Sequence, residues 1–242
     1  MLLIPGGMCG AGSYAEVMAQ PALARMRLVA ATLPGHAGAP PPDDYSIENY
    51  ARLTAELARE IDADVVVGFS MGATVALEMA ASGAFTRPVV LLGVSLSPKD
   101  EPAFFRAIVR LGSVLGGLPA AVLAKGAASM VKRIPVSGER QRELREDFRK
   151  NVPRQNRQGL REYLRWLHRH ERPAERLCGA GVPTWVVHAE KGDGGLTDEE
   201  RRTLEECPHA HLVTIPGSVM FLPNEVPERV ADVIVEAVPQ AG

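Results

Sequence analysis

Aromatic residues make up only 5% of this 242-residue sequence, and there are only three cysteines. Cys9, Cys178 and Cys207 are widely scattered and odd in number. No disulfide framework is therefore expected, and the cysteine usage points to a reducing, cytoplasmic setting. No run approaches the roughly 18 apolar residues that a bilayer span needs. The opening Met1-Leu2-Leu3-Ile4-Pro5 has neither the basic stretch nor the apolar core of a signal peptide. The formal charge is -2, from 27 basic and 29 acidic residues, so no global field draws the chain to nucleic acid or to a membrane. No His, Cys, Asp or Glu group has metal-ligand spacing and no glycine loop is built to cradle phosphate, so neither metal nor cofactor is expected.

What is present is a 46% apolar composition, ample for one large core, in a length that suits a single α/β domain over residues 1–242. Short β-branched runs alternate with helical patterns. Strands are expected at Leu2–Ile4, Arg27–Leu33, Asp64–Phe69, Pro88–Val94, Pro183–His188 and His211–Ile215. Helices are expected at Tyr14–Met26, Ile47–Ile61, Met71–Gly83, Thr197–Glu206 and Pro227–Val238. This order predicts a mostly parallel sheet with helices on both faces. The rhythm breaks over residues 97–180, where four helical patterns follow one another near 102–115, 118–133, 138–150 and 154–170. That segment reads as a helical cap inserted into the domain. It holds 18 of the 27 basic residues but only 9 of the 29 acids, which gives it a surface of its own.

The chemistry gathers around Gly68-Phe69-Ser70-Met71-Gly72. A buried strand runs into this motif and an Ala-rich helix leaves it, the context in which a G-x-S-x-G match carries meaning. Ser70 then sits in a tight turn with its hydroxyl thrust out of the sheet. Small residues two before and two after let strand and helix close on each other. The helix start offers the Met71 amide to a developing oxyanion.

These residues resemble the α/β-hydrolase superfamily over essentially the whole chain, and the compact capped members in particular. Leu3-Ile4-Pro5-Gly6-Gly7 falls where the family has apolar residues followed by His-Gly-x, with Pro5 in place of His. The resemblance implies that Gly7 supplies the second oxyanion-hole amide. Leu33-Pro34-Gly35-His36 is similar to the family's next loop. The strand through Val187 followed by Glu190-Lys191-Gly192-Asp193 resembles the family's acid motif with one extra residue. Asp193, between loop glycines, is preferred as the triad acid, and Glu190 is the alternative.

The last motif departs from the pattern. Ile215-Pro216-Gly217-Ser218-Val219-Met220 keeps the spacing to Glu225 and Pro227, but Met220 stands where the family has its histidine. A thioether cannot accept the serine proton at neutral pH, so the triad is degenerate. A substitute base would have to come from another histidine: His36, after the second strand and near the rim of the site, is one such alternative, but it and His188, His209, His211, His168 and His170 are each expected to be surface or packing residues. Three functions stay open. The preferred one is an enzyme acting on an apolar small-molecule ester or thioester through Ser70. The alternatives are a lyase, isomerase or cyclase using the same pocket, and a catalytically dead binding protein; an introduced Met220 is a further possibility. The cap's basic surplus would suit an anionic or carrier-linked acyl group if it faced the pocket.

Overall fold

The computed structural model describes residues 1–101, 134–170 and 172–239. Six strands form one sheet in the order β2-β1-β3-β4-β5-β6, every neighbouring pair parallel. They are β1 (Leu2–Ile4), β2 (Val29–Ala30), β3 (Val66–Phe69), β4 (Val89–Leu92), β5 (Thr184–Lys191) and β6 (Ala210–Ser218). The helices among the described residues are α1 (Ala15–Met18), α2 (Ile47–Glu60), α3 (Met71–Ala81), α4 (Gly138–Lys150), α5 (Pro153–Arg169), α6 (Pro173–Gly179), α7 (Asp198–Glu205), α8 (Leu222–Glu225) and α9 (Pro227–Ala237).

Strand side chains alternate between two cores, as the period of two requires. Leu2, Val66, Val89, Leu91 and Val186 pack with α2, α3, α5 and α6 on one face. Leu3, Val67, Val90, Leu92 and Val187 pack with Tyr14, Val17 and α9 on the other. Helices on both faces explain why the strands read as unbroken apolar runs.

Two expected elements differ. The helix expected at Tyr14–Met26 is broken into a 3₁₀ turn at Ala11–Tyr14, the short α1 and a second 3₁₀ turn at Pro21–Leu23. Pro21 cannot donate into a helix, and it drives Gln20 to an extended ψ of 132°. The second strand shrinks from Arg27–Leu33 to Val29–Ala30, an edge position with β1 as its one neighbour. Between β4 and β5, α4 and α5 occupy the third and fourth expected helices; those near 102–115 and 118–133 lie outside the described residues. The cysteine expectation needs correcting. Cys178, in α6, and Cys207, just past α7, form a disulfide with their Cα atoms 5.7 Å apart. Separation along the chain says nothing about which helix ends meet, and the bond removes cysteine usage as support for a cytoplasmic setting. No helix among the described residues is long and apolar enough to cross a membrane.

The helices between β4 and β5 are tied to the body by a buried carboxylate. Glu78 of α3 accepts from Nη1 and Nη2 of Arg176, at 2.9 and 3.1 Å, and from the Trp166 indole N–H at 3.1 Å. Glu78 and Trp166 are fully enclosed, whereas Arg176 keeps about a third of its side chain in solvent. Replacing Glu78 by Ala leaves the indole N–H unpaired but lets Arg176 rehydrate. Glu78→Ala is therefore expected to cost about 2–3 kcal/mol in urea unfolding, below the full penalty for stranding a buried charge.

Candidate active site

The turn that carries Ser70 is held by packing around two glycines. Ser70 has φ 51° and ψ -119°, a conformation that L residues rarely adopt and that costs on the order of 1–3 kcal/mol. The Ser70 amide donates to the Leu92 carbonyl at 2.8 Å, and the Ser70 carbonyl accepts from Ala73 and Thr74. A Cβ on Gly68 would lie 2.2 Å from the Gly72 carbonyl oxygen; one on Gly72 would lie 2.4 Å from that of Ile4. Only hydrogen fits at either place, so the start of α3 closes down on β3 and on the end of β1. Met71 opens α3, where the first amides have no partner within the helix.

The loop after β1 lies against this turn. A Cβ on Gly6 would stand 3.3 Å from the Ser70 Cβ, and one on Gly7 3.5 Å from the Met71 sulfur. Gly7, Ser70 and Met71 thus share one corner of the molecule. Beyond Gly7, Met8 turns through φ 68° and is gripped from two sides. Its amide donates to His36 Nδ1 at 3.0 Å, and its carbonyl accepts from Asn151 Nδ2 at 2.8 Å. Asn151, at the end of α4, also accepts from the Ala37 amide. Since His36 Nδ1 is an acceptor, its proton sits on Nε2, beside the Tyr50 hydroxyl. Burial pushes the His36 pKa down to about 4, so the ring is neutral. His36 therefore has a structural role that its place in the sequence did not announce. Cys9 follows in the same loop; burial and then Asp147 push its thiol up to about 12, which leaves it protonated.

At the other side of the sheet's carboxyl end, the chain after β5 folds back on itself. Asp193 is buried, and its Oδ2 accepts from the Ala189 amide at 2.8 Å and from His188 Nδ1 at 3.1 Å. The reversal uses Gly192 and Gly194, both at positive φ. Glu190 instead lies exposed and accepts from the Gly217 amide of β6. Met220 is half-buried on the neighbouring loop, which is laced to the acid loop by a Val219 amide to Lys191 carbonyl bond of 2.9 Å. Glu225 accepts from the Met220 and Phe221 amides at 3.0 and 2.7 Å, so the regular spacing of that glutamate reflects a backbone clasp. Phe221 packs on Phe69, the residue before Ser70, with ring centroids 6.2 Å apart.

The histidines sort by position. His209 and His211 stand at the amino ends of β5 and β6, remote from the strand ends that carry Ser70 and Asp193. His168 bonds back along α5. His188 is the one that sequence reasoning passed over. Five residues from Asp193, it meets the carboxylate only because the chain reverses at Gly192. No group of three or more His, Cys, Asp or Glu among the described residues could hold a metal ion.

A model of the Alpha/beta hydrolase family matches residues 1–233. Similar solved structures include Cfl2 from Burkholderia cenocepacia, with a TM-score of 0.73, 21% identity and coverage of 98% of this chain and 87% of that one. A thermophilic esterase from Thermogutta terrifontis has a TM-score of 0.72 at 20% identity, covering 97% of this chain and 87% of its own. A thioesterase domain from the curacin biosynthetic pathway has a TM-score of 0.70 at 19% identity, covering 97% and 90%. Such identities speak for the fold alone. A comparison with curated proteins finds no match.

Two measurements check this geometry. His36 has a folded pKa below its unfolded value of about 6.5, so the unfolded chain takes up the proton first as pH falls. The stability His36 contributes is complete above pH 6.5 and is lost as pH drops through the window to about 4. His36→Asn keeps an acceptor for the Met8 amide and should lack that loss when unfolding is followed at pH 4.5 and 7.5. Separately, Gly72→Ala should lower the thermal midpoint sharply, because its Cβ meets backbone oxygens that cannot yield. Gly7→Ala meets a flexible thioether and should shift stability by less than about 1 kcal/mol.

Proposed function

This chain belongs to the Alpha/beta hydrolase family, and on that premise we propose that it cleaves esters or thioesters of largely apolar small molecules by acyl transfer to Ser70. The observation that carries the reading is the strained Ser70 turn closed against Gly6 and Gly7. Strain of this kind persists where function requires it and surrounding packing enforces it. In this reading the Ser70 hydroxyl attacks the carbonyl carbon, and the amides of Gly7 and Met71 receive the oxyanion. Fixed donors at that position are worth roughly 10²–10³ in turnover each. Asp193 serves as the acid, being the enclosed carboxylate of the two candidates.

We take residues 97–180 as the cap that shapes the substrate pocket. Among the described residues, several of its basic side chains are in ion pairs: Arg140 with Glu16 and Glu143, Lys150 with Asp147, Arg165 with Glu162, Arg169 with Glu48, and Arg176 with Glu78. We read the segment's charge as a solvated helix face and the acyl group as largely apolar. The likeness to a thioesterase domain keeps a carrier-linked acyl thioester within the class to be tried. Met220 is the specific observation behind the second reading, a lyase, isomerase, cyclase or binding protein that keeps the pocket without acyl-enzyme chemistry.

A fluorophosphonate probe together with a panel of activated esters and acyl thioesters separates the two. The protein should be labelled at Ser70, and Ser70→Ala should lose both the label and at least 10³-fold of the ester turnover. Hydrolysis that survives Ser70→Ala unchanged, with no label on the parent protein, would transfer the conclusion to the non-acyl reading.

A further inference from the structure

We propose that Asn151, at the end of α4, is a positioning residue for acyl transfer. It holds the loop after β1 in the form that presents the Gly7 amide to the oxyanion. The inference rests on the acyl-transfer reading of Ser70 and adds to it a dependence on the segment between β4 and β5. One face of α4 lies along the loop. The Arg140 guanidinium donates to the Gly12 carbonyl and, at 2.7 Å, to Glu16. Leu144 and Phe148 pack with Cys9 and Met8. Asn151 comes last, and its Nδ2 donates to the Met8 carbonyl at 2.8 Å. Arg140, Leu144, Phe148 and Asn151 follow one another at helical spacing, so a single face makes all these contacts.

The contacts differ in kind. Packing by Leu144 and Phe148 gives cohesion without direction. The Asn151 bond is directional, and it falls on the residue next to Gly7. Asn151 is buried and its amide is held at both atoms. Its Oδ1 takes the Ala37 amide at 3.0 Å, and its Nδ2 also donates to the Asp147 carbonyl at 2.7 Å. The side-chain plane therefore has one orientation, and the Met8 carbonyl is fixed with it.

Gly7 needs such a hold. Gly6 and Gly7 in succession leave the chain before Met8 with little conformational preference of its own. The Cys9 amide bonds to the Gly6 carbonyl at 3.1 Å and closes a turn from Gly6 to Cys9. Met8 occupies the third position of that turn at φ 68°, where glycine is the usual residue. A methionine gains by turning the Gly7–Met8 peptide over to bring φ negative. That motion reverses the carbonyl of the very residue whose amide is assigned to the oxyanion. Two bonds oppose it: the Met8 amide to His36 Nδ1 at 3.0 Å, and Asn151 to the Met8 carbonyl. His36 follows β2, whereas Asn151 belongs to the segment between β4 and β5. Seating of α4 thus completes the oxyanion hole.

The test is Asn151→Ala in the full chain, read by the rate of fluorophosphonate labelling at Ser70 and by kcat and KM on an activated ester. Loosening a donor of this kind should lower labelling and kcat about 10–100-fold, with KM and thermal midpoint near those of the parent. Adding Met8→Gly removes the methionine's preference for negative φ and should recover most of the loss. A residue that only held the fold together would lower the midpoint, and a glycine in the turn would not rescue it. Parental kcat and labelling in Asn151→Ala overturn the assignment; so does a loss that Met8→Gly leaves in place. Either result, with Ser70→Ala inactive, leaves the acyl-transfer reading standing. An active Ser70→Ala overturns that reading instead. Amide relaxation measured by NMR serves whether or not turnover is measurable. In Asn151→Ala the Gly7 amide should shift its resonance and fall from an order parameter of about 0.85 to below about 0.6. An unchanged resonance and order parameter at Gly7 overturn the proposal. If Asn151→Ala does not fold, Asn151→Asp takes its place with the same readings. Its carboxylate still accepts from the Ala37 amide but has no donor for the Met8 carbonyl.

Discussion

The contact on which the site depends is the closure of α3 onto β1 and β3 through two side-chain-free positions. Gly68 and Gly72 let backbone meet backbone where a single methyl group would overlap carbonyl oxygens. That closure is what holds Ser70 at a positive φ. It also sets the start of the helix beside the loop after β1. A substitution there acts on strand, helix and loop at once, because close-packed backbone has no soft direction in which to relax.

The loop after β1 is not self-supporting. Met8 at its crest is held through its amide by a histidine from the loop after β2 and through its carbonyl by an asparagine from the end of α4. The segment between β4 and β5 thereby reaches across the molecule to brace the same corner. Neutral His36 makes this possible, since a protonated ring could not accept from an amide. The brace couples the state of α4 to the geometry beside Ser70.

The acid side is built on a different device. The chain after β5 reverses at Gly192, returns Asp193 to the strand it left, and seals a carboxylate over His188. The loop bearing Met220 is then laid along this reversal and clasped by Glu225. The buried Asp193 carboxylate is therefore accompanied by an imidazole whose place belongs to a strand, not to the final loop.

How far the sequence could be read depends on the range of the interaction concerned. The alternation of strands and helices was legible because burial on two faces writes itself into local composition, as in Val66–Phe69. The Ser70 turn was legible because its glycines are steric necessities within five residues. The Met220 departure could be seen because the spacing to Glu225 and Pro227 is intact. The Cys178–Cys207 bond, the role of His36 and the pairing of His188 with Asp193 could not. Each depends on where a loop or helix end comes to rest against a partner: 29 residues away for the cysteines, 28 for His36 and Met8, and around a glycine reversal for His188. Local pattern is set by burial and backbone sterics, which act on neighbours in the chain. The partners of buried polar atoms are set by the packed chain as a whole, so only the tertiary structure decided them.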